Sequence, residues 1–190
     1  MAVKFFDVGL MHCEDVQSEV RSGKFMDAGE YADVEDGTIV NIGALCKDTV
    51  YGGNAVDYNC REITAPTSVR VEDVWLVDID ERMFVDAGMG EIFRIGGRTY
   101  NLIQKAGYPV RIRKAVKGDV FWLGEGAFDA APNAGDDVKA AAGQTTYAAG
   151  APAAGEFGLH IEAVEPLTLG ARAAKRPDGR YECKYLVSVL

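Results

Sequence analysis

One pattern occurs twice in this chain and constrains its fold more than any other feature: a glycine-containing turn followed at once by a short run of β-branched or aromatic residues that ends at a second glycine. The first copy is residues 35–45, EDGTIVNIGAL, and the second is residues 116–124, VKGDVFWLG. Glycine tolerates the positive φ angle of a turn, and β-branched and aromatic residues are enriched in strands. This repeated pattern of turns and short strands predicts a mainly β protein, either a barrel or a sandwich of short antiparallel strands.

The length of 190 residues suits one domain, or one domain that carries an arm or a small lobe, since domains run to roughly 100–200 residues. We expect an extended N-terminal arm at residues 1–22 and a β-rich domain at residues 23–190. Hydrophobic residues make up 48% of the chain, which is ordinary for a protein with a folded core.

Alternating segments predict further strands within this domain. Residues 24–29 and 39–45 lie on either side of the turn signal at Asp36-Gly37 and are predicted to form a hairpin. Residues 157–164 alternate strictly, and residues 178–190 predict a turn followed by a long terminal strand. That last strand must be paired, because an unpaired strand of this regularity would be an aggregation-prone edge.

Residues 127–155 differ from the rest of the chain because they are rich in alanine and glycine. Side chains this small bury little area, so we interpret the segment as a loose surface excursion. A second interpretation stays open, in which residues 136–139 and 144–147 pair as two weak outer strands with their turn at Ala142-Gly143.

The charge of the chain argues against a role in binding nucleic acid. The formal net charge is −9 at pH 7, with acidic residues spread along the whole sequence. Non-specific nucleic-acid affinity comes mainly from Lys and Arg displacing counterions, so direct binding of DNA or RNA is not expected. The one basic stretch, residues 111–114 with Lys117, alternates with apolar residues and is interpreted as the solvent-exposed face of a strand rather than as a polyanion site.

The cysteines and the hydropathy of the chain indicate a cytosolic origin. Cys13, Cys46, Cys60 and Cys183 lie far apart and include no C-x-x-C pair. Disulfide frameworks and zinc sites normally show closer spacing, so these residues are interpreted as free thiols in a reducing compartment. No window reaches the ~18 apolar residues of a membrane span, and the N-terminus lacks the apolar run of a signal peptide. We expect a soluble protein that does not contact a membrane.

Residue types that carry catalysis are scarce. The two histidines are His12, in a His-Cys-Glu-Asp run without partners to complete a metal site, and His160, interpreted as an ordinary strand residue. The segment Asp-Ile-Asp-Glu at residues 78–81 is not followed by the glycine and glutamate that a calcium loop requires. No P-loop, G-x-S-x-G or H-E-x-x-H motif occurs in the sequence. We therefore assign no catalytic, cofactor-binding or metal-ligating residue and expect neither a cofactor nor enzymatic activity.

Four large aromatic residues are interpreted as core or interface side chains, because each can bury about 150–250 Å². For the two tryptophans we expect the core. The four are Trp75, Trp122, Tyr147 and Tyr185.

The order of these segments resembles the small capsid decoration, or cement, proteins of tailed bacteriophages. The likeness is carried by turn-plus-strand patterns, and no binding residue can be transferred from them. The segments are residues 22–25, 34–45 and 50–51, the basic strand with its Lys-Gly-Asp turn at 111–123, and the Ala/Gly-rich stretch followed by residues 157–162 and the C-terminal strand. The resemblance implies a non-enzymatic virion structural protein, made in the cytoplasm of the host bacterium and located on the capsid exterior.

The resemblance also implies that the partner is the major capsid protein. We expect a homo-oligomer, with a trimer as the working hypothesis, because apolar strands at chain ends need a covering element and a shell offers threefold positions. The predicted capsid or self-contact residues are Val3, Phe5, Phe6, Tyr185, Val187 and Val189. The alternatives are a head–tail connector or tail component, and a small bacterial binding module or an enzyme whose site is assembled at an oligomer interface.

Overall fold

The prediction of a mainly β fold is confirmed. The computed structural model describes residue 4 and residues 6–11, 20–48, 55–79, 85–86, 92–93, 103–169, 172–173 and 182–190, and the predictions made for Val3 and Phe5 lie outside these residues. Within them, the one helical element is a 3-10 turn at Glu125–Ala127. In chain order the strands are β1 (Phe6–Leu10), β2 (Val20–Asp27), β3 (Glu30–Tyr31), β4 (Val34–Glu35), β5 (Ile39–Asp48), β6 (Ala55–Thr64), β7 (Val74–Asp78), β8 (Val85–Asp86), β9 (Ile92–Phe93), β10 (Ile103–Gln104), β11 (Val110–Lys114), β12 (Val120–Gly124), β13 (Asp137–Ala140), β14 (Tyr147–Ala149), β15 (Gly158–Pro166), β16 (Thr168–Leu169), β17 (Arg172–Ala173) and β18 (Cys183–Val189).

Five of these strands close into a barrel. Their order is β11-β7-β5-β6-β2, and β2 pairs back with β11 to complete the ring. Neighbouring strands are antiparallel except β2 and β6, which run parallel. Alternate side chains of these strands form one buried cluster inside the ring, including Val40, Ile63, Val77 and Ile112. The short strand β3 extends the barrel beyond β2 as a hairpin.

The second layer is a six-stranded antiparallel sheet in the order β1-β12-β18-β15-β13-β14. The C-terminal strand β18 lies in its middle, hydrogen-bonded to β12 on one side and β15 on the other. The prediction that this strand must be paired is therefore confirmed. Because a central strand offers both of its edges to neighbours, the terminal strand is part of the framework of the domain.

The barrel and the sheet share one hydrophobic core. Ile39, Val74 and Leu76, on the outer side of the barrel, belong to the same buried cluster as Phe121 and Leu159 of the sheet. Strand β7 contributes to both clusters, because its side chains alternate. Val74 and Leu76 face the sheet, whereas Val77 belongs to the cluster inside the barrel. The two layers therefore form a single packed unit.

The predicted hairpin around Asp36-Gly37 does not form. Strand β2 pairs with β3, β6 and β11, whereas β5 pairs with β6 and β7. The turn itself exists and connects β4 to β5, with Gly37 at φ +72°. The glycine of the second copy of the pattern, Gly118, also has a positive φ, of 92°. The turns were therefore predicted correctly, but the pairing of β2 with β5 was wrong.

The structure incorporates parts of the predicted N-terminal arm into both layers. Strand β1 pairs with β12 at the edge of the sheet, and Phe6 is buried in the shared core against Phe121, with ring centroids 5.1 Å apart. Strand β2 begins at Val20 and belongs to the barrel. An extended arm outside the fold therefore does not describe residues 6–11 and 20–22.

The Ala/Gly-rich segment is folded in its central part. Strands β13 and β14 pair as an antiparallel hairpin with Gly143 at φ +77° in its turn, and β13 continues the sheet through β15. Val138, Ala140 and Tyr147 from this hairpin are buried in the shared core. The structure thus corresponds to the second interpretation, two outer strands, rather than to a loose excursion.

The buried amide of Asn41 ties a long loop to the outer side of the barrel. Its Nδ2 donates hydrogen bonds to the carbonyl oxygens of Ser68 (3.0 Å) and Asp73 (2.8 Å). Its Oδ1 accepts hydrogen bonds from the backbone N–H groups of Thr67 and Ser68, both at 2.8 Å. Every donor and acceptor of the amide is therefore engaged, in a place where an unsatisfied group would be costly.

We expect Asn41→Asp to lower the free energy of unfolding by about 2 kcal/mol, because a carboxylate oxygen would replace two donors that face carbonyl oxygens. Denaturant unfolding at pH 7 measures this. Asn133→Asp is the surface control: it removes one exposed hydrogen bond to Asp136 and should change the stability by less than about 1 kcal/mol. Equal losses in the two variants would contradict the role given to Asn41.

Candidate functional site

A groove lies where the barrel meets the sheet. Its volume is about 680 Å³, and its apolar walls include Phe25 and Val34 on the barrel side and Phe128 on the sheet side. The charged and hydroxyl side chains that line it are Lys4, Asp33, Glu35, Thr38, Glu125, Asp129, Thr145 and Thr146. Four carboxylates against one ammonium give the groove an excess of negative charge.

Several polar groups of this groove form hydrogen bonds within the protein. Lys4 Nζ donates to the Thr145 carbonyl oxygen at 3.2 Å and to Thr145 Oγ1 at 3.3 Å. Burial lowers the pKa of Lys4, while the carboxylates of Glu35 and Asp129 act in the opposite direction. The hydroxyl of Thr146 donates to Asp129. These contacts hold Lys4, Thr145 and Thr146 against neighbouring groups of the same chain along the wall of the groove.

The outer face of the sheet carries an Asp-His-Ser row that invites comparison with a hydrolytic triad. His160 Nδ1 lies 2.7 Å from Asp137 Oδ1, and this hydrogen bond raises the pKa of His160. Ser188 is paired with His160 across the ladder between β15 and β18. However, the Ser188 hydroxyl donates to Glu162 Oε1 at 2.6 Å.

This row lacks the contacts that a triad requires. A nucleophilic serine must be hydrogen-bonded to the imidazole and must face donors for the oxyanion. The side chains of His160 and Asp137 are about one-third exposed on an open sheet surface. The structure thus places His160 as a strand residue that is hydrogen-bonded across the ladder to Asp137.

The basic strand β11 is buried in part, although its sequence predicted a solvent-exposed face. Asp78 Oδ2 accepts hydrogen bonds from Arg111 Nε at 2.7 Å and from Arg113 Nε. Asp78 and Arg113 are buried, because this side of β11 faces the layer between barrel and sheet, where Ala115 joins the shared core. Lys114 Nζ donates to the Val71 carbonyl oxygen. The interpretation of these residues as a solvent-exposed face is wrong for Arg113.

The two tryptophans are half-buried and lie under cations, whereas the two tyrosines are core residues. Lys184 Nζ lies 4.0 Å from the ring centroid of Trp122, and Lys114 Nζ lies 5.6 Å from that of Trp75. Neither tryptophan is fully buried, although Trp75 packs against the cluster inside the barrel. Tyr147 and Tyr185 are at most 2% exposed.

Four of the predicted contact residues lie inside the protein. Phe6, Tyr185, Val187 and Val189 are at most 4% exposed and belong to the shared core. Tyr185, Val187 and Val189 alternate along β18 and form one apolar face, which is covered by the barrel of the same chain. In this conformation these residues are not accessible to a capsid protein or to a second copy.

The described part of the chain contains neither a cluster of metal-binding side chains nor a membrane-spanning helix. No group of three or more His, Cys, Asp or Glu side chains lies close enough there to hold a metal ion. Among the same residues, no helix has the length and apolar character needed to cross a bilayer. The His-Cys-Glu-Asp run at residues 12–15 lies outside the described residues.

The most exposed large apolar side chain among the described residues is Tyr108, at 64%. It sits in the turn between β10 and β11, close in sequence to Ile103, which is also exposed. Asp33 orders this turn by accepting hydrogen bonds from the Ala106 N–H at 2.9 Å and from Lys105 Nζ at 2.7 Å. These donors lower the pKa of Asp33.

The Tyr108 turn is a surface feature that the sequence interpretation missed. A signal for it was present, because Gly107 and Pro109 flank the tyrosine and both residues favour turns. Gly107 has a φ of +80°, and the Tyr108 N–H donates to the Lys105 carbonyl oxygen at 3.1 Å. The turn is therefore held from within as well as by Asp33.

Comparison with protein-family models, with curated proteins and with solved structures found no match.

Proposed function

We propose that this protein is a non-enzymatic virion structural protein that binds the exterior of a tailed-phage capsid and stabilises or decorates it. The observation that carries the proposal is the ordered turn that holds Tyr108 in solvent at the end of β10. Tyrosine is enriched at binding hot spots, because it offers a large contact area with little side-chain entropy to lose. A turn fixed beforehand by Asp33 lowers the ordering cost of binding further.

The place of the resembling segments in the fold supports a scaffold role. Residues 34–45 form β4, the turn at Gly37 and the first part of β5, and residues 111–123 form most of β11 and of β12. These segments build the barrel and connect it to the sheet. A rigid module of this kind that contacts neighbouring capsid subunits stabilises the shell, because it binds the assembled state and not the free subunits.

A homo-oligomer on the particle, with a trimer as the working hypothesis, stays part of this proposal. Its contacts need surfaces other than the inner face of β18, which is covered by the chain itself. The outer face of the sheet is available, with Trp122, His160 and Lys184 on it.

The groove of about 680 Å³ favours a second candidate, a small binding module. Its negative lining would suit a cationic group. A head–tail connector or tail component is the alternative within the virion, and the same exposed turn would then contact a different virion protein.

The decisive experiment is co-sedimentation of the purified protein with heads, with tails and with free capsid protein from the phage that encodes it. The proposal expects saturable binding to intact heads. Binding to tails or isolated connectors alone would establish the connector alternative, and absence of binding to any particle would refute a virion role.

We expect Tyr108→Ala to weaken binding to heads at least about tenfold, because removing a hot-spot tyrosine typically costs more than 1.4 kcal/mol. The melting temperature should stay unchanged, since the side chain is largely exposed. Leu190→Ala, at an exposed residue next to the sheet, is the matched control and should bind as the wild type does. Unaltered binding by Tyr108→Ala would remove the turn from the contact.

A further inference from the structure

Two cysteines that are 14 positions apart in the sequence are neighbours in the barrel. Cys46 lies on β5 and Cys60 on β6, one step beyond the paired residues Leu45 and Arg61. The distance between the two Sγ atoms is 3.3 Å, and both residues carry free thiols. The sequence interpretation treated the cysteines as unrelated, because only the register of the two strands brings them together.

The two thiols are shielded from solvent. Cys46 is 0% exposed and Cys60 is 2% exposed. The thiol of Cys46 also interacts with Tyr31 of the β2–β3 hairpin, whose pKa is raised, mainly by burial and with a contribution from these thiols. A register shift between Leu45 and Lys47 marks a bulge at this point of the ladder.

We propose that Cys46 and Cys60 are a modification site, a dithiol that closes to a disulfide linking β5 and β6 when the protein meets a small-molecule disulfide oxidant. A disulfide requires Cβ atoms about 3.5–4.5 Å apart, and directly opposite residues of an antiparallel pair have Cβ atoms about 4.5–5.5 Å apart. The remaining approach is on the order of 1 Å. The bulge beside Cys46 gives the ladder a place to absorb it, because bulged strands bend locally.

The chemistry is two successive thiol–disulfide exchanges. The thiolate of one cysteine attacks a sulfur of the oxidant, such as oxidised glutathione, forms a mixed disulfide and releases one glutathione thiol. The second cysteine then attacks the protein sulfur of the mixed disulfide, forms the Cys46–Cys60 bond and releases the second glutathione. Two electrons pass to the oxidant, and the two thiol protons end on the released glutathione molecules.

The reaction should be slow at neutral pH and faster in alkali. Burial and the neighbouring thiol raise the pKa of Cys46 to about 12, so little of the nucleophilic thiolate is present at pH 7. Access also requires local opening of strands that cover both sulfurs. The pair therefore stays reduced in the cytosol and oxidises only on prolonged exposure to an oxidising medium.

One consequence rests on the proposed function. A protein on the outside of a capsid leaves the reducing cytosol at host lysis, so the crosslink would form on the released particle and strengthen the barrel there. The chemical proposal itself needs no particle. Failure of the crosslink and failure of capsid binding are therefore separate results.

The test is incubation of the full-length protein with oxidised glutathione at pH 7 and pH 9, followed by non-reducing peptide mass spectrometry. We expect a Cys46–Cys60 peptide that has lost two hydrogen atoms, formed faster at pH 9. The melting temperature should rise by roughly 5 °C, since closing a loop of this length constrains the unfolded chain. Cys46→Ser and Cys60→Ser should each abolish both the linked peptide and the rise.

A background with Cys13→Ser and Cys183→Ser excludes pairing with the other two cysteines and should behave like the wild type. Oxidation mainly to links with Cys13 or Cys183 would overturn the proposal. So would a pair that stays reduced at pH 9 while the guanidinium-unfolded protein oxidises under the same conditions.

Discussion

Tyr147→Ala is expected to lower the free energy of unfolding by about 3–5 kcal/mol, the range for truncating a fully buried aromatic side chain. Tyr147 is 1% exposed and packs between Phe128 and Phe157, with ring centroids at 5.9 and 6.3 Å. Its loss would leave a cavity in the core that barrel and sheet share. Urea unfolding at 25 °C measures the change.

Tyr147→Phe is the matched control and should have the opposite sign. The hydroxyl of Tyr147 is buried with no hydrogen-bond partner among the described residues, and burial raises its pKa well above the usual value. Removing it eliminates the cost of a desolvated group, so the variant should be as stable as the wild type or up to about 1 kcal/mol more stable. A mild effect of Tyr147→Ala would restore the interpretation of residues 127–155 as a loose excursion.

Composition misled the interpretation of that segment for a physical reason. Small residues bury little area themselves, but they let other groups approach closely. Pro152 lies directly on Gly158, where an added Cβ would sit 2.4 Å from the proline Cγ. The segment packs against the sheet because Gly158 leaves room for Pro152. The amino-acid composition of a segment does not show which single glycine makes such a contact possible.

The predictable part of the fold follows from local signals. A period of two in apolar residues defines a strand and its buried face, and a glycine at a positive φ marks a turn. Both signals were sufficient for the β class and for the turns at Gly37 and Gly118.

Strand partners and exposed faces depend on distant residues, and the sequence pattern does not specify them. The alternation of β2 is equally compatible with a hairpin to β5 and with the observed parallel pairing to β6. The same ambiguity affected the candidate site, because the apolar face of Tyr185 and Val187 suits a protein interface as well as a core. The barrel of the same chain occupies that face, and the proposed contact is assigned instead to the exposed turn at Tyr108.

Asp36 is a buried carboxyl that joins three parts of the structure. Its Oδ2 accepts a hydrogen bond from the Phe6 N–H at 2.8 Å, and its Oδ1 accepts one from the Ile79 N–H at 2.9 Å. It thereby connects the first strand of the sheet, the turn before β5 and the end of β7. Burial raises the pKa of Asp36 to about 8, although the backbone donors of Ile79, Phe6 and Gly37 oppose that shift.

The direction of the pH effect follows from these protonation states. Between pH 4 and pH 8 the carboxyl is ionised in the unfolded chain, where its pKa is about 3.9, and protonated in the folded protein. The unfolded state then binds fewer protons, so the free energy of unfolding falls as the pH rises, by up to about 1.4 kcal/mol per pH unit for this group. The contribution is fully present below pH 4 and is lost as the pH rises to about 8.

Asp36→Asn removes the titration while keeping the shape of the side chain. At pH 5 we expect the variant to be about 1–3 kcal/mol less stable than the wild type, because its amide donors face one of the two backbone N–H groups. Between pH 5 and pH 8 the difference in free energy of unfolding that favours the wild type should fall by up to about 4 kcal/mol, because ionisation of Asp36 favours the unfolded chain in this range. Urea unfolding across this range measures the difference, with Asp27→Asn on the exposed end of β2 as the charge-matched control. A constant difference between wild type and Asp36→Asn over the whole range would mean that the folded protein holds Asp36 ionised, with its two backbone donors outweighing its burial.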